Sequence, residues 1–331
     1  MGSAAFLARE LRLIDGVRLW ASAPLAPFTT IATGGEAGLL VTVATTPALV
    51  EALVKLEAAG SRWVCLGAGS NMLVADRGYP GVVIKLDERF HYMEGMPAGP
   101  GPHSHSRHVT VTVGAGAYLA RFAAVAAEAG LSGLEFACGI PGSLGGSAAM
   151  NAGAHGWSLA DLAEEVEVAS AMGIQWLPAT ELEWAYRFCR VPVGSVITAV
   201  RLGLTAGDSV KILEHHRSLL RMRRATQPRG VRTFGSVFKN PPGEAAGRLL
   251  DAAGLRGVRR GGAEVSTVHA NFLVNLGDAT TADVLALMSL MRQGVHRMSG
   301  ILLEPEVKLL GAAFPWESAF DVSQGPPGSH G

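Results

Sequence analysis

Thr46-Pro47 followed by ALVEALVKLEAAG sets apolar residues at helical spacing behind a capping signal. The pattern predicts a helix with Thr46 as N-cap, Pro47 in the first turn and Gly60 just past the end. SRWVCL and VVIKL read as strands, joined by the loop GAGSNMLVADRGYPG. HVTVTV alternates apolar and polar positions with the period of a strand. LARFAAVAAEAG reads as a small-residue helix closed by Gly130, and 133–156 as an irregular glycine-rich stretch. EEVEVASAMGIQWLP predicts a hairpin turning near Met172-Gly173, followed by the strand VITAVRLGL. A basic helix, VKILEHHRSLLRMRRA, comes next. Helices near 243–253 and 281–298 and strands near 271–276 and 301–310 complete the pattern. Composition changes near residue 208, which suggests a boundary there. The segment 97–108 reads as a surface loop, and the tail from Ser323 as disordered. No repeat of solenoid length is present. The expected fold class is α+β.

Composition narrows the class. Glycine is 42 of 331 residues, well above the usual share of about 7 %. Those glycines have no period of three, so the chain is not collagen-like. Lys+Arg and Asp+Glu are 28 each, which gives a polyanion such as nucleic acid nothing to bind in bulk. Apolar residues make up 48 % and charged residues 17 %, against disorder. Cys65, Cys138 and Cys189 form neither a disulfide framework nor a CxxC zinc motif, and suit a reducing cytoplasm. The N-terminus does not read as a signal peptide. Phe136–Ala160 carries no Asp, Glu, Lys or Arg, but its glycines, Pro141 and Asn151 make it a buried loop system rather than a membrane span.

The glycine excess is local. Gly67-Ala68-Gly69-Ser70-Asn71 follows a strand, where bare backbone N–H groups form an anion-binding nest. It is no Rossmann fingerprint, because Met72 stands where the third glycine belongs. Alone, this GxG suits a plain turn as well as a phosphate. Gly139-Ile140-Pro141-Gly142-Ser143-Leu144-Gly145-Gly146 places four glycines in eight residues, and Gly114-Ala115-Gly116 is a third strand-to-glycine turn. Together, without a Walker lysine, they point to a nucleotide or dinucleotide held by backbone.

The ordered motifs TTIATGG, GAGSNMLV, GAGA, LEFACGIPGSLGGSAAMNAGAHG, YR, QP, GSVFKNP, AGRLLDAAGLRG, GGAEVSTVHANFLVN and LEPEVKLLG span about residues 16 to 311. In number and order they resemble the UDP-N-acetylenolpyruvoylglucosamine reductase family of flavoproteins. The resemblance implies a two-part FAD-binding domain of the vanillyl-alcohol-oxidase-like type, 1–86 and 87–207. A C-terminal α+β substrate-binding domain, 208–314, and a tail, 315–331, would follow. Arg187 and Gly235 are 48 positions apart, similar to the shorter subtype that lacks a tyrosine-bearing loop. The resemblance implies non-covalent FAD, NADPH as co-substrate and UDP-N-acetylglucosamine enolpyruvate as substrate. It implies no nucleic-acid, membrane, metal or obligate protein partner. By the same match, Gly67, Ala68, Gly69, Ser70 and Asn71 would form the FAD pyrophosphate loop. Gly139, Ile140, Gly145, Gly146, Asn151 and Gly153 would form a second flavin segment, and Thr33, Gly34 and Gly35 an N-terminal flavin turn. Gly114 belongs to the third turn. Thr226 stands where family members often carry a lysine, so Arg223 or Arg224 would supply that charge.

The family reaction adds hydride to an electron-rich enol ether, which works only if the adjoining carboxylate takes up the electron pair. A cation at that carboxylate favours the change, and Arg187 matches that role. Ser236 matches the acid that protonates the neighbouring carbon, and Glu306 the carboxylic acid that assists. Lys239 and Asn240 would contact substrate. Without the resemblance, Arg187 reads as a packing arginine, Ser236 as a turn residue and Glu306 as the outer face of a strand. An FAD-dependent oxidase of a small alcohol or sugar on the same flavin fold is the alternative, and a non-catalytic nucleotide-binding protein a further one. His103, His105 and His108 have no matching acidic or cysteine partner, and read as a solvated insertion rather than a metal site.

Overall fold

The computed structural model describes residues 3–97 and 107–317. His103, His105, most of the 97–108 segment and the tail from Ser323 lie outside the described residues. His108 is instead the second residue of the strand Arg107–Gly114, with Nε2 2.6 Å from Glu164 Oε1. Two compact units make up the chain. One takes the chain up to Ala23, Ala37–Gly69 and Gly81–Thr226; the other takes Pro24–Glu36, Ser70–Pro80 and everything from Gln227 onward.

Among the described residues, the first unit holds two larger sheets and two two-stranded ones. One of the larger sheets orders its strands as Val17–Pro24, Glu36–Val43, Tyr79–Leu86 and Trp63–Cys65, the last two parallel. The helix Thr46–Ala58 buries Leu49, Leu53 and Leu56 in a core shared with Val41, Val43 and Ile84. Its N-cap is Thr45, one residue earlier than the pattern indicated, because Thr45 Oγ1 accepts the Ala48 N–H. Gly60 follows the end at φ +58°, as expected for a residue past a helix terminus.

The second larger sheet orders Gly173–Pro178, Ala163–Ser170, Val196–Ala206, Arg107–Gly114 and Met93–Glu94, all antiparallel. The hairpin turns at Ala171–Met172, with Ser170 paired to Gly173. Leu119–Glu128 is the expected small-residue helix, and it packs Phe122 and Ala126 into the second core. The helix Ser209–Thr226 packs against it and against Leu131–Ser132. The residue 208 boundary therefore falls at the start of this helix, while the first unit continues to Thr226. The stretch 133–156 contains a short helix, Leu144–Ala149, that glycine content masked.

In the second unit, Thr281–Ser299 buries Val284, Leu287, Met288, Met291 and Val295 against Phe234, Val237 and Leu273. A three-stranded antiparallel sheet runs Arg259–Arg260, Ala263–Val265, Leu273–Asn275. Met72–Val74 pairs in parallel with Lys308–Leu310. The strand expected over 301–310 is confined to Lys308–Leu310. Pro305 has no N–H to give a ladder, and makes only an isolated bridge to Phe238.

Candidate active site

A cavity of about 420 Å³ opens in the first unit, within the size range of small-molecule sites. The three glycine turns converge on it: Gly67-Ala68, Ala115-Gly116 and Ser143 with Gly145 and Gly146 all line it. Glycine is required here mostly because the turns approach one another. A Cβ on Gly67 would overlap Ser143 Oγ, and one on Gly145 would lie 2.7 Å from Ala115 Cβ. One on Gly116 would lie 2.7 Å from the His91 ring. Gly146 differs: its added Cβ would meet only Ser143 Oγ, at 3.4 Å.

The remaining predicted cofactor residues sit as follows. Gly114 packs where a side chain would overlap Phe90 O. Gly139 (φ +67°) lies under Arg223, whose Cδ would be 3.2 Å from an added Cβ. Ile140 packs on the second core. Gly153 lies in the strand Gly153–Ala154, where a Cβ would crowd Trp157 O at 2.5 Å. Asn151 Nδ2 donates to Ala185 O at 3.0 Å, and its Oδ1 accepts the Ala160 N–H at 3.0 Å. Gly69 (φ +68°) ends this unit's part of the first loop; Ser70 and Asn71 begin the other unit's.

Two polar groups suit the cavity to a polar ligand. The Thr42 hydroxyl is buried with no hydrogen-bond partner among the described residues. Lys85 Nζ donates to Gly67 O at 2.8 Å and lies 3.4 Å from Leu66 O. Burial lowers the Lys85 pKa, opposed by the neighbouring Cys65, whose thiol burial pushes up to about 11. Sequence reasoning passed over both residues. The available signal was a lone lysine inside the apolar run VVIKL.

Arg187 occupies the turn between Glu183–Ala185 and Phe188–Arg190 at φ +60°, a region that costs a non-glycine residue roughly 1–2 kcal/mol. It is half-buried. Its Nη1 donates to Gly153 O at 3.3 Å, and the guanidinium lies 4.9 Å from the Tyr186 ring centre. Asn151 thus ties the glycine-rich segment to the hairpin that carries Arg187. Burial, together with the charge of Arg187, lowers the Arg223 pKa against the pull of Cys138. Arg223 and Arg187 therefore share one positively charged neighbourhood with Gly139. Arg224 is exposed.

In the second unit the Glu306 N–H donates to Val237 O at 2.9 Å, which sets Glu306 beside the residue after Ser236. Ser236 itself bridges Phe272, and Gly235 (φ +83°) turns the chain into it. Asn271, another residue sequence reasoning missed, accepts the Phe238 N–H through Oδ1 and donates to Phe238 O. Lys239 N donates to Glu304 O, and its Nζ lies 3.3 Å from Glu304 Oε2, so Glu304 is the exposed partner of Lys239. Asn240 Oδ1 accepts the Ala246 N–H at the start of Ala246–Ala252. Asn71 Nδ2 donates to Glu306 O at 3.0 Å, and Asn71 O accepts the Lys308 N–H. Thr33 is buried, with Oγ1 accepting from Thr281 Oγ1 at 3.0 Å. A Cβ on Gly34 would crowd Val74 Cβ at 2.5 Å, and one on Gly35 would overlap Asp76 O. Ser236, Glu306, Lys239 and Asn71 are thus gathered by one backbone network, while Arg187 and Arg223 are gathered in the other unit. Among the described residues, no group of three or more His, Cys, Asp or Glu is placed to hold a metal ion. Among them, too, no helix is long and apolar enough to cross a membrane.

Residues 37–177 match an FAD binding domain family, and residues 227–310 match the C-terminal domain of UDP-N-acetylenolpyruvoylglucosamine reductase. A reductase of that name from Anaeromyxobacter sp. (strain Fw109-5) is 47 % identical over 292 residues, covering 87 % of each chain. The Myxococcus xanthus reductase is 42 % identical over 305 residues, covering 92 % of this chain and 96 % of its own. The crystal structure of the Thermus caldophilus reductase superposes with a TM-score of 0.75 at 36 % identity, covering 89 % of this chain and 98 % of its own.

Proposed function

The chain belongs to the UDP-N-acetylenolpyruvoylglucosamine reductase family, and from that premise we propose that Arg187, Ser236 and Glu306 carry its chemistry. The protein is an FAD-dependent oxidoreductase that uses NADPH to reduce UDP-N-acetylglucosamine enolpyruvate to UDP-N-acetylmuramate for peptidoglycan synthesis. The alternative, an oxidase of small alcohols or sugars, is not favoured, because the match extends through the reductase's own C-terminal domain. We place the reaction in the cytoplasm, in keeping with NADPH as reductant.

The glycine-lined cavity, the unpartnered Thr42 hydroxyl and Lys85 suit the diphosphate and ribityl portions of a dinucleotide. When bound, FAD supplies the hydride that reaches the enolpyruvyl methylene carbon. Arg187 holds the substrate carboxylate, whose negative charge grows as it accepts the electron pair of the double bond. A charge-assisted contact that strengthens during reaction lowers the barrier. The Ser236 hydroxyl holds the proton for the neighbouring carbon. An alcohol is a weak acid, but the enediolate-like species is a strong base, so the transfer runs downhill. Glu306 supports this end of the substrate at its carboxylate or in proton delivery. Arg223 supplies the cation for the substrate diphosphate where Thr226 replaces lysine. It is favoured over Arg224 because it turns inward over Gly139, whereas Arg224 is exposed. Lys239 and Asn240 contact the nucleotide sugar.

The Glu306 to Val237 hydrogen bond carries this reading, because it brings the backbone of Glu306 from distant sequence beside the residue after Ser236. Ser236→Ala tests it. NADPH is expected to bleach the flavin at the wild-type rate under anaerobic conditions. Reoxidation by UDP-N-acetylglucosamine enolpyruvate is expected to slow by roughly 10²–10⁴-fold. Equal slowing of both half-reactions would remove Ser236 from the proton-donor role.

A further inference from the structure

Lys85 lies outside every motif that carries the family resemblance. It projects from the strand Tyr79–Leu86 into the cavity where the glycine turns meet. Among the described residues, Arg18 and Lys85 are the lysine and arginine side chains that line the cavity, alongside His91 and the carboxylates Asp87 and Glu88. The Arg18 side chain is 60 % exposed and lies 3.8 Å from Asp87 Oδ2, so its charge is already opposed and solvated. Lys85 donates to the carbonyl of Gly67 at 2.8 Å, and both residues line the cavity.

We propose that Lys85 positions and charges the Gly67 turn for the cofactor's diphosphate. It pins the Gly67 carbonyl away from the ligand and supplies the positive potential that backbone N–H groups alone lack. This rests on the FAD reading above. The burial that lowers the Lys85 pKa is consistent with it, because an anion in the cavity would offset the cost of keeping this ammonium charged. A lysine whose work was only to close the turn would not need its charge for the cofactor, since a neutral donor also satisfies a carbonyl, though with a weaker bond.

That difference gives the test. Lys85→Gln keeps a donor for the Gly67 carbonyl and removes the charge, and Lys85→Arg keeps both. Dissociation constants for FAD and for riboflavin, which lacks phosphate, are measured by flavin fluorescence across a range of salt concentrations. Apoprotein melting is recorded alongside. Lys85→Gln is expected to weaken FAD by about 10- to 100-fold, the range of one charge-assisted contact. It should leave riboflavin within twofold and flatten the salt dependence of FAD binding; Lys85→Arg should recover most of the loss. Equal weakening of both flavins, or unchanged FAD affinity, overturns the proposal. If Lys85→Gln does not fold, the wild-type salt dependence decides, and equal slopes for FAD and riboflavin overturn the proposal. Wild-type protein that takes up no FAD at any salt concentration overturns the flavin reading itself.

Discussion

Gly145 and Gly146 are adjacent, yet a methyl group on each would do opposite things. On Gly145 it would press on Ala115, whereas on Gly146 it would enter open cavity. Overpacking of the first kind costs roughly 1–3 kcal/mol. Gly146 lies inside the helix Leu144–Ala149, where alanine is better than glycine by about 1 kcal/mol. Gly146→Ala is therefore expected to leave apoprotein melting unchanged or higher while FAD affinity falls in a fluorescence titration. Weaker FAD accompanied by lower melting would mean instead that the turn had broken. The motif marked these residues without separating the two causes, since periodicity does not tell a glycine that lets two loops touch from one that leaves room for a ligand. Lys85 and Thr42 were illegible for a related reason. Each belongs to an ordinary strand pattern, and only the facing turns give it a cavity to line.

At the scale of elements, the long helix Thr281–Ser299 shows what local signals capture and omit. Thr280 and Asp283 form a capping box, with Thr280 Oγ1 accepting the Asp283 N–H. Asp76, about two hundred positions earlier in the chain, accepts from the N–H groups of Thr281 and Ala282 at 2.8 and 2.9 Å. Asp76→Ala strands both donors and is expected to cost about 1–2 kcal/mol in urea unfolding of the second unit. A shift below about 0.3 kcal/mol would show that water replaces the carboxylate at no cost. The helix was legible from its apolar spacing, but this cap was not, because no local pattern links 76 to 281. The strand over 301–310 failed for a different reason: alternation in LLEPEVKLL was sound, yet Pro305 removed the donor that a continuous ladder needs.

At the scale of the whole molecule, composition could suggest a boundary but not a discontinuous unit. The second unit draws on 24–36 and 70–80 as well as on residues from 227 onward. A fragment beginning at Gln227 would lack the strand Met72–Val74, the Asp76 cap and the Thr33 partner of Thr281. Such a fragment, 227–317, is expected to show no cooperative thermal transition by circular dichroism. A sharp transition would show that the late segments fold by themselves. The fold class was legible because strands and helices kept their periods. The proposed grouping of Ser236 with Glu306 was legible only through the family motifs, since the backbone bond that sets Glu306 beside the residue after Ser236 spans about seventy positions.

The first glycine turn serves two masters along five residues. Gly67 and Ala68 line a cavity in one unit, while Asn71 holds Glu306 and the strand Lys308–Leu310 in the other. The turn is consequently a poor cassette. Grafting a glycine turn without Asn71 into 67–71 would keep the cavity lining and yet unfasten the backbone of Glu306 far along the chain. Recombination between relatives is therefore expected to tolerate crossovers inside the Met172–Gly173 hairpin tip far better than inside this one short loop.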